Sequence, residues 1–145
     1  MYCASSIFLP ARKKELFMDE KKLLLVDDEK EVTRILSKRL QRRMYACDTA
    51  GNGQEALEAM QRFPYRVVIM DVQMPIMDGI TALQALHKTW PDTQVILLSG
   101  HADMQLAVQA MSSGAFSYIM KPVEFEELLF KIEDAFMQFQ IETQK

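Results

Sequence analysis

Three aspartates, one serine and one lysine in this 145-residue chain are of types suited to phosphoryl chemistry: Asp27, Asp28, Asp71, Ser99 and Lys121. Two carboxylates about 4 Å apart repel by roughly 4 kcal/mol at an effective dielectric near 20. Three brought together therefore require a cation. Mg²⁺ suits such a set, because it takes one or two carboxylates, waters and a phosphate oxygen. An aspartate carboxylate is also a nucleophile that can form an aspartyl phosphate. A lysine would then neutralise charge on the transferred group, and a serine hydroxyl would hydrogen-bond another of its oxygens.

These residues act together only if the fold delivers them to one place. From Lys22 onward, apolar runs of strand length alternate with helical patterns. Runs at 23–26, 67–70 and 95–98 read as strands, as do the weaker 44–49 and 116–120. Helices are expected at 31–43 (Val32, Ile35, Leu36 and Leu40 on one period), after Gly51-Asn52-Gly53, and at 80–90, 102–113 and 124–139. Strands that are apolar throughout, without alternation, belong to a parallel sheet covered on both faces. Right-handed crossovers make that a three-layer, doubly wound α/β sandwich. Its ligand site lies beyond the carboxyl ends of the strands. Asp27-Asp28, Asp71, Ser99-Gly100 and Lys121-Pro122 follow four of the five strands, which predicts their convergence.

The composition excludes other classes. With 49% apolar and 26% charged residues the chain is an ordinary globular domain rather than a disordered or collagen-like one. Seventeen basic against twenty acidic residues, a net charge of −3, argue against direct nucleic-acid binding. Cys3 and Cys47 make neither a disulfide framework nor a zinc site, and a reducing cytoplasm is the natural setting. No apolar run is long enough to span a bilayer, and Pro10 interrupts the only stretch resembling a signal core. Eleven methionines are read chiefly as adaptable core filler. Residues 1–20 read as a poorly ordered extension with Met18 a natural start, 21–140 as the domain and 141–145 as a tail.

Four motifs together carry a family resemblance: Leu24-Leu25-Val26-Asp27-Asp28-Glu29, then Val68-Ile69-Met70-Asp71-Val72-Gln73-Met74-Pro75-Ile76-Met77-Asp78-Gly79, Leu98-Ser99-Gly100 and Met120-Lys121-Pro122. In this order and spacing they resemble the response-regulator receiver domain of two-component signalling, over about 22–139. The resemblance implies a flavodoxin-like sheet of order 2-1-3-4-5 with five helices. It makes Asp71 the phosphoacceptor, with Mg²⁺ held by Asp28, by Asp27 mainly through water, by Asp71 and by the backbone carbonyl of Gln73. Ser99 and Tyr118 match the switch pair, and the Lys121–Pro122 bond is expected cis. Gln73 and His101 occupy positions lining the route of water to the acyl phosphate, so they tune dephosphorylation. His87 is expected on the surface. The implied phosphodonor is a histidine kinase or a phosphotransfer protein. The implied output is a rearranged face made by the fourth helix, fifth strand and fifth helix.

The last helix adds a detail to that face. At about 100° per residue, Phe125, Leu128, Leu129, Ile132, Phe136 and Phe139 form a core stripe, while Phe130, Met137 and Ile141 cluster on the opposite side. Such a stripe suits a partner or a phosphorylation-dependent homodimer. Competing readings are weaker. A haloacid-dehalogenase-type hydrolase needs an acid two residues after its nucleophile, where this chain has Gln73. A flavodoxin-like cofactor binder would not place Asp27-Asp28-Glu29 against an anion, and no GxxxxGK[ST] phosphate loop is present. A pseudo-receiver that is never phosphorylated usually lacks an acid or the lysine, and this chain keeps them all.

Overall fold

Even and odd residues of the central strands face opposite layers, and that alternation builds two cores. The computed structural model describes residues 21–101 and 103–144. Five strands, β1 (Lys22–Val26), β2 (Ala46–Ala50), β3 (Val67–Asp71), β4 (Gln94–Ser99) and β5 (Ser117–Met120), are all parallel and lie in the order β2-β1-β3-β4-β5. The helices are α1 (Lys30–Gln41), α2 (Gly53–Arg62), α3 (Gly79–Thr89), α4 (Met104–Ser112) and α5 (Phe125–Thr143). Leu24, Val26, Val68, Met70, Val95 and Leu97 pack against Ala56 and Met60 of α2, Ile80, Leu83 and Leu86 of α3, and Ala110 of α4. Leu23, Leu25, Val67, Ile69, Ile96 and Leu98 pack against Leu40 of α1 and Phe125, Leu128, Leu129 and Ile132 of α5. The continuous apolar strands follow from this burial on both faces.

Helices α2, α3 and α4 each start with a side-chain cap. Asn52 accepts from the Glu55 N–H at 2.9 Å while Glu55 accepts from the Gly51 N–H at 2.8 Å. Asp78 accepts from the Thr81 N–H at 2.8 Å, and Asp103 from those of Gln105 and Leu106. Asp103 therefore starts α4 at Met104 rather than at residue 102. Met44, with φ 72°, and the Tyr45 N–H bonded to the Leu40 carbonyl close α1, so β2 starts at Ala46 rather than 44. With neither Gly nor Pro to stop it, α5 runs on to Thr143, beyond the end expected at 139, so residues 141–143 are helical rather than a tail. The stripe predicted on α1 is only partly buried. Of its residues only Leu40 is buried, Leu36 is half-buried and Val32 and Ile35 are exposed, while Thr33, outside the stripe, is the helix's other buried residue. The predicted extension, residues 1–20, lies outside the described residues.

Candidate functional site

The carboxyl ends of β1, β3, β4 and β5 meet at one edge of the sheet. There Asp27, Asp28 and Asp71 each offer a carboxylate oxygen, all within 4.8 Å of one another. Asp27 and Asp71 are buried and Asp28 is exposed. The Lys121 ammonium stands 3.4 Å from Asp71 Oδ2 and 3.6 Å from Asp27 Oδ2. The Glu29 N–H donates to Asp27 Oδ1 at 2.9 Å, and the Gln73 N–H points at Asp71 Oδ1 at 3.4 Å. Burial pushes the Asp27 carboxyl above its ordinary value. The Glu29 N–H and Lys121 pull it down, whereas Asp71 and Asp28 push it up.

Local sequence explains why the site has this shape. Lys121 is held in register by its N–H on the Ser99 carbonyl at 2.7 Å and precedes a cis peptide to Pro122. Gly79 lies so close beneath Asp71 that a Cβ there would stand 2.3 Å from the Asp71 carbonyl oxygen. Only glycine allows the β3–α3 loop to fold back over the strand end, where the Gly79 N–H donates to the Val72 carbonyl at 2.8 Å. Ile76, on that loop, has φ 72° and is 84% exposed.

Ser99 is fully buried, and its hydroxyl is tied to its own loop, accepting from the His101 N–H at 3.1 Å and donating to the His101 carbonyl at 3.3 Å. The Tyr118 side chain packs against the core that holds α2, α3 and α4, and its hydroxyl is buried without a hydrogen-bond partner among the described residues. Gln73 and His101 are both exposed at the same edge, and His87 is exposed on α3. Phe130, Met137 and Ile141 are 62%, 61% and 52% exposed on α5.

Three carboxylates against one ammonium leave excess negative charge, and every donor is a hard oxygen. That set fits Mg²⁺ rather than a thiophilic metal. The chain matches the family model of the response regulator receiver domain over residues 23–133. It belongs to that family. The receiver is 38% identical over 114 residues to the regulatory protein AtoC of Escherichia coli K12, covering 79% of this chain and 25% of that protein. It is 33% identical over 120 residues to the DNA-binding transcriptional regulator NtrC of the same strain, covering 83% of this chain and 26% of NtrC. It thus spans about a quarter of the length of those relatives. Among solved structures it is similar to a CheY-like receiver domain of Methanospirillum hungatei JF-1, with TM-score 0.80, 29% identity and coverage of 84% and 98% of the two chains. The beryllofluoride-activated NtrC4 receiver domain dimer gives TM-score 0.78 at 34% identity, covering 82% and 98%. Receiver domains are signalling switches of two-component systems rather than conventional enzymes. No helix among the described residues is long and apolar enough to cross a membrane.

Two residues beside the site escape a periodicity argument. Val32 and Ile35 read as core-facing, yet with Leu36, Pro122 and Phe125 they line an apolar groove of about 630 Å³ that reaches Lys121. The signal was present as an apolar stripe too wide for the surface that α1 buries.

Proposed function

We propose that this receiver domain takes a phosphoryl group onto Asp71 from the phosphohistidine of a cytoplasmic kinase or phosphotransfer protein. One observation carries the reading: a buried aspartate at the end of the central strand, 3.4 Å from a lysine ammonium and grouped with two further carboxylates. An Asp71 carboxylate oxygen attacks phosphorus, the P–N bond of the donor breaks, and the imidazole takes the released electron pair and a proton. Lys121 is poised to receive a phosphoryl oxygen as the charge on Asp71 is spread. Bound Mg²⁺, held by Asp27, Asp28, Asp71 and the Gln73 carbonyl, would supply charge neutralisation on the phosphoryl oxygens. Val32 and Ile35 give a protein donor an apolar surface beside the pocket mouth. Hydrolysis reverses the modification: water attacks phosphorus, the bond to Asp71 breaks, and phosphate leaves. Exposed Gln73 and His101 are placed to influence that water.

The switch follows from the hydroxyl that Ser99 has committed to its own loop. A phosphoryl oxygen competes for it, the β4–α4 loop moves, and the packing around Tyr118 and the α4–β5–α5 face follows as a population shift. The test is incubation with Mg²⁺ and acetyl phosphate or phosphoramidate, followed by intact mass. One phosphoryl adduct is expected, absent in Asp71→Asn and absent with EDTA. An unmodified wild type under these donors and a panel of kinases would leave an interaction module without phosphorylation.

A further inference from the structure

The groove beside Lys121 opens onto the phosphoacceptor itself. Its floor is buried, formed by Leu98 at the end of β4 and by Phe125 and Leu128 of α5, while Val32 and Ile35 of α1 and Pro122 stand exposed as its walls. At the far end the Arg39 guanidinium lies over the Phe125 ring, 4.1 Å from its centre. From Val32 to Arg39 the α1 wall runs about 10 Å, and the space enclosed is about 630 Å³. A concave apolar hollow of that volume, with a few charged groups at its ends, has the form of a small-molecule site. Those groups are two bases, Lys121 and Arg39, against one acid, the exposed Glu29. At the near end, a hollow of about 30 Å³ that touches Asp27 and Asp71 shares Val32, Leu36, Leu98 and Lys121 with the groove. The apolar space thus runs on to the acceptor, and the Lys121 ammonium, 3.4 Å from Asp71 Oδ2, stands where the two join.

We propose that this groove holds the apolar chain of a small acyl phosphate, the mixed anhydride of phosphate with a medium-length aliphatic acid, and so selects it as a phosphodonor to Asp71. The proposal rests on Asp71 being the phosphoacceptor. Phosphorylated Asp71 is itself an acyl phosphate, so transfer from another such anhydride exchanges one bond for another of the same kind and is close to balanced in energy. An Asp71 carboxylate oxygen attacks phosphorus and the bond from phosphorus to the acyl oxygen breaks. The acid leaves as its carboxylate with the electron pair, and no proton changes place. Lys121 meets the phosphoryl oxygens while the chain lies along Val32, Ile35 and Leu36 over the floor at Leu128. Binding energy from this non-reacting part of the donor then serves to align the phosphorus with Asp71. The excess of base over acid along the groove suits an anionic donor, and its apolar length separates an aliphatic chain from an acetyl group.

The test incubates the whole chain and Mg²⁺ with acetyl, butyryl or octanoyl phosphate at equal low concentration and follows the adduct by intact mass against time. Octanoyl phosphate is expected to modify Asp71 roughly tenfold or more faster than acetyl phosphate, with butyryl phosphate between them. Asp71→Asn should stay unmodified by all three. Val32→Glu and Ile35→Glu, both at exposed positions, should bring the octanoyl-to-acetyl rate ratio close to one, and the ratio cancels any general effect on Asp71. Val108→Glu, at an exposed position of α4, should keep the wild-type ratio, which separates the groove wall from the mere loss of a surface apolar residue. An adduct from acetyl phosphate with no gain from chain length overturns the inference, leaves Asp71 as the acceptor and gives the groove to a protein donor. A gain that Val32→Glu and Ile35→Glu do not reduce overturns it too, because the chain is then held elsewhere. No adduct from any of the donors defeats the phosphoacceptor reading and the inference with it.

Discussion

Strands β3 and β5 reach the same pocket from opposite circumstances. All five residues of β3 are buried, with β1 on one side and β4 on the other. The four residues of β5 are half-buried or exposed, and only β4 pairs with them. Asp71 thus ends a strand whose position is fixed from every side, while Tyr118 and Lys121 come from an edge with room to shift. A phosphoacceptor gains from fixed geometry, because its alignment with the incoming phosphorus sets the rate. A responding element gains from weak restraint, because a small differential affinity can then move its population.

The largest test of this contrast is a pair of truncations. Met70→Ala, in the fully buried β3, should cost roughly 2–4 kcal/mol of stability by leaving a cavity between two layers. Ile119→Ala, on half-buried β5, should cost about 1 kcal/mol. Urea unfolding monitored by far-UV circular dichroism measures both. Equal losses would mean that β5 is as firmly held as β3.

The fixed end of the molecule is also held against its own charge. Asp27 is buried beside two other carboxylates, and its carboxyl is pushed above its ordinary value chiefly by burial. The folded state therefore binds this proton more tightly than the unfolded chain does. Its contribution to stability is greatest below the unfolded value and falls as pH rises through the folded one. Asp27→Asn, in EDTA, should raise stability by about 1–2 kcal/mol at neutral pH. Thermal unfolding of both proteins from neutral to acid pH should show that gap closing on acidification. A gap that widens instead would mean that the Lys121 contact outweighs the burial and repulsion.

Sequence and structure agree most closely where one force dominates. The alternation of apolar runs and helical patterns is enough to place the parallel sheet, since strands buried on both faces must be apolar at every position. Caps set boundaries that periodicity does not: Asp103 starts α4 at Met104 rather than at 102. The convergence of Asp27, Asp28, Asp71 and Lys121 follows from their places at strand ends, because a parallel sheet brings those ends to one edge. Agreement fails where two uses of an apolar side chain look alike. Val32 and Ile35 share a helical period with Leu40, and nothing local separates a core contact from the wall of a groove. The end of α5 was hidden for another reason: Ile141 continues the outer stripe of the helix, but residues 140–143 contain no stop. The orientation of Tyr118 depends on packing among β4, β5 and α4, which no linear pattern encodes.

That orientation provides the finest test of the edge strand. The Tyr118 hydroxyl is buried with no partner among the described residues. Taking a hydroxyl out of water without replacing its hydrogen bond costs roughly 1–3 kcal/mol. The ring nevertheless stays packed against the core, so its apolar contacts must offset that penalty. Phenylalanine keeps the ring and removes the oxygen. Tyr118→Phe should therefore stabilise the unmodified protein by roughly 1 kcal/mol, seen as a higher melting temperature. It should also reduce exchange of the ring with an outward rotamer, visible as less line broadening in aromatic NMR spectra, because the outward state alone lets the hydroxyl reach water. A Tyr118→Phe protein less stable than wild type would show that the hydroxyl does have a partner in solution. The edge strand would then be held by a polar contact, and the contrast with β3 would narrow to burial alone.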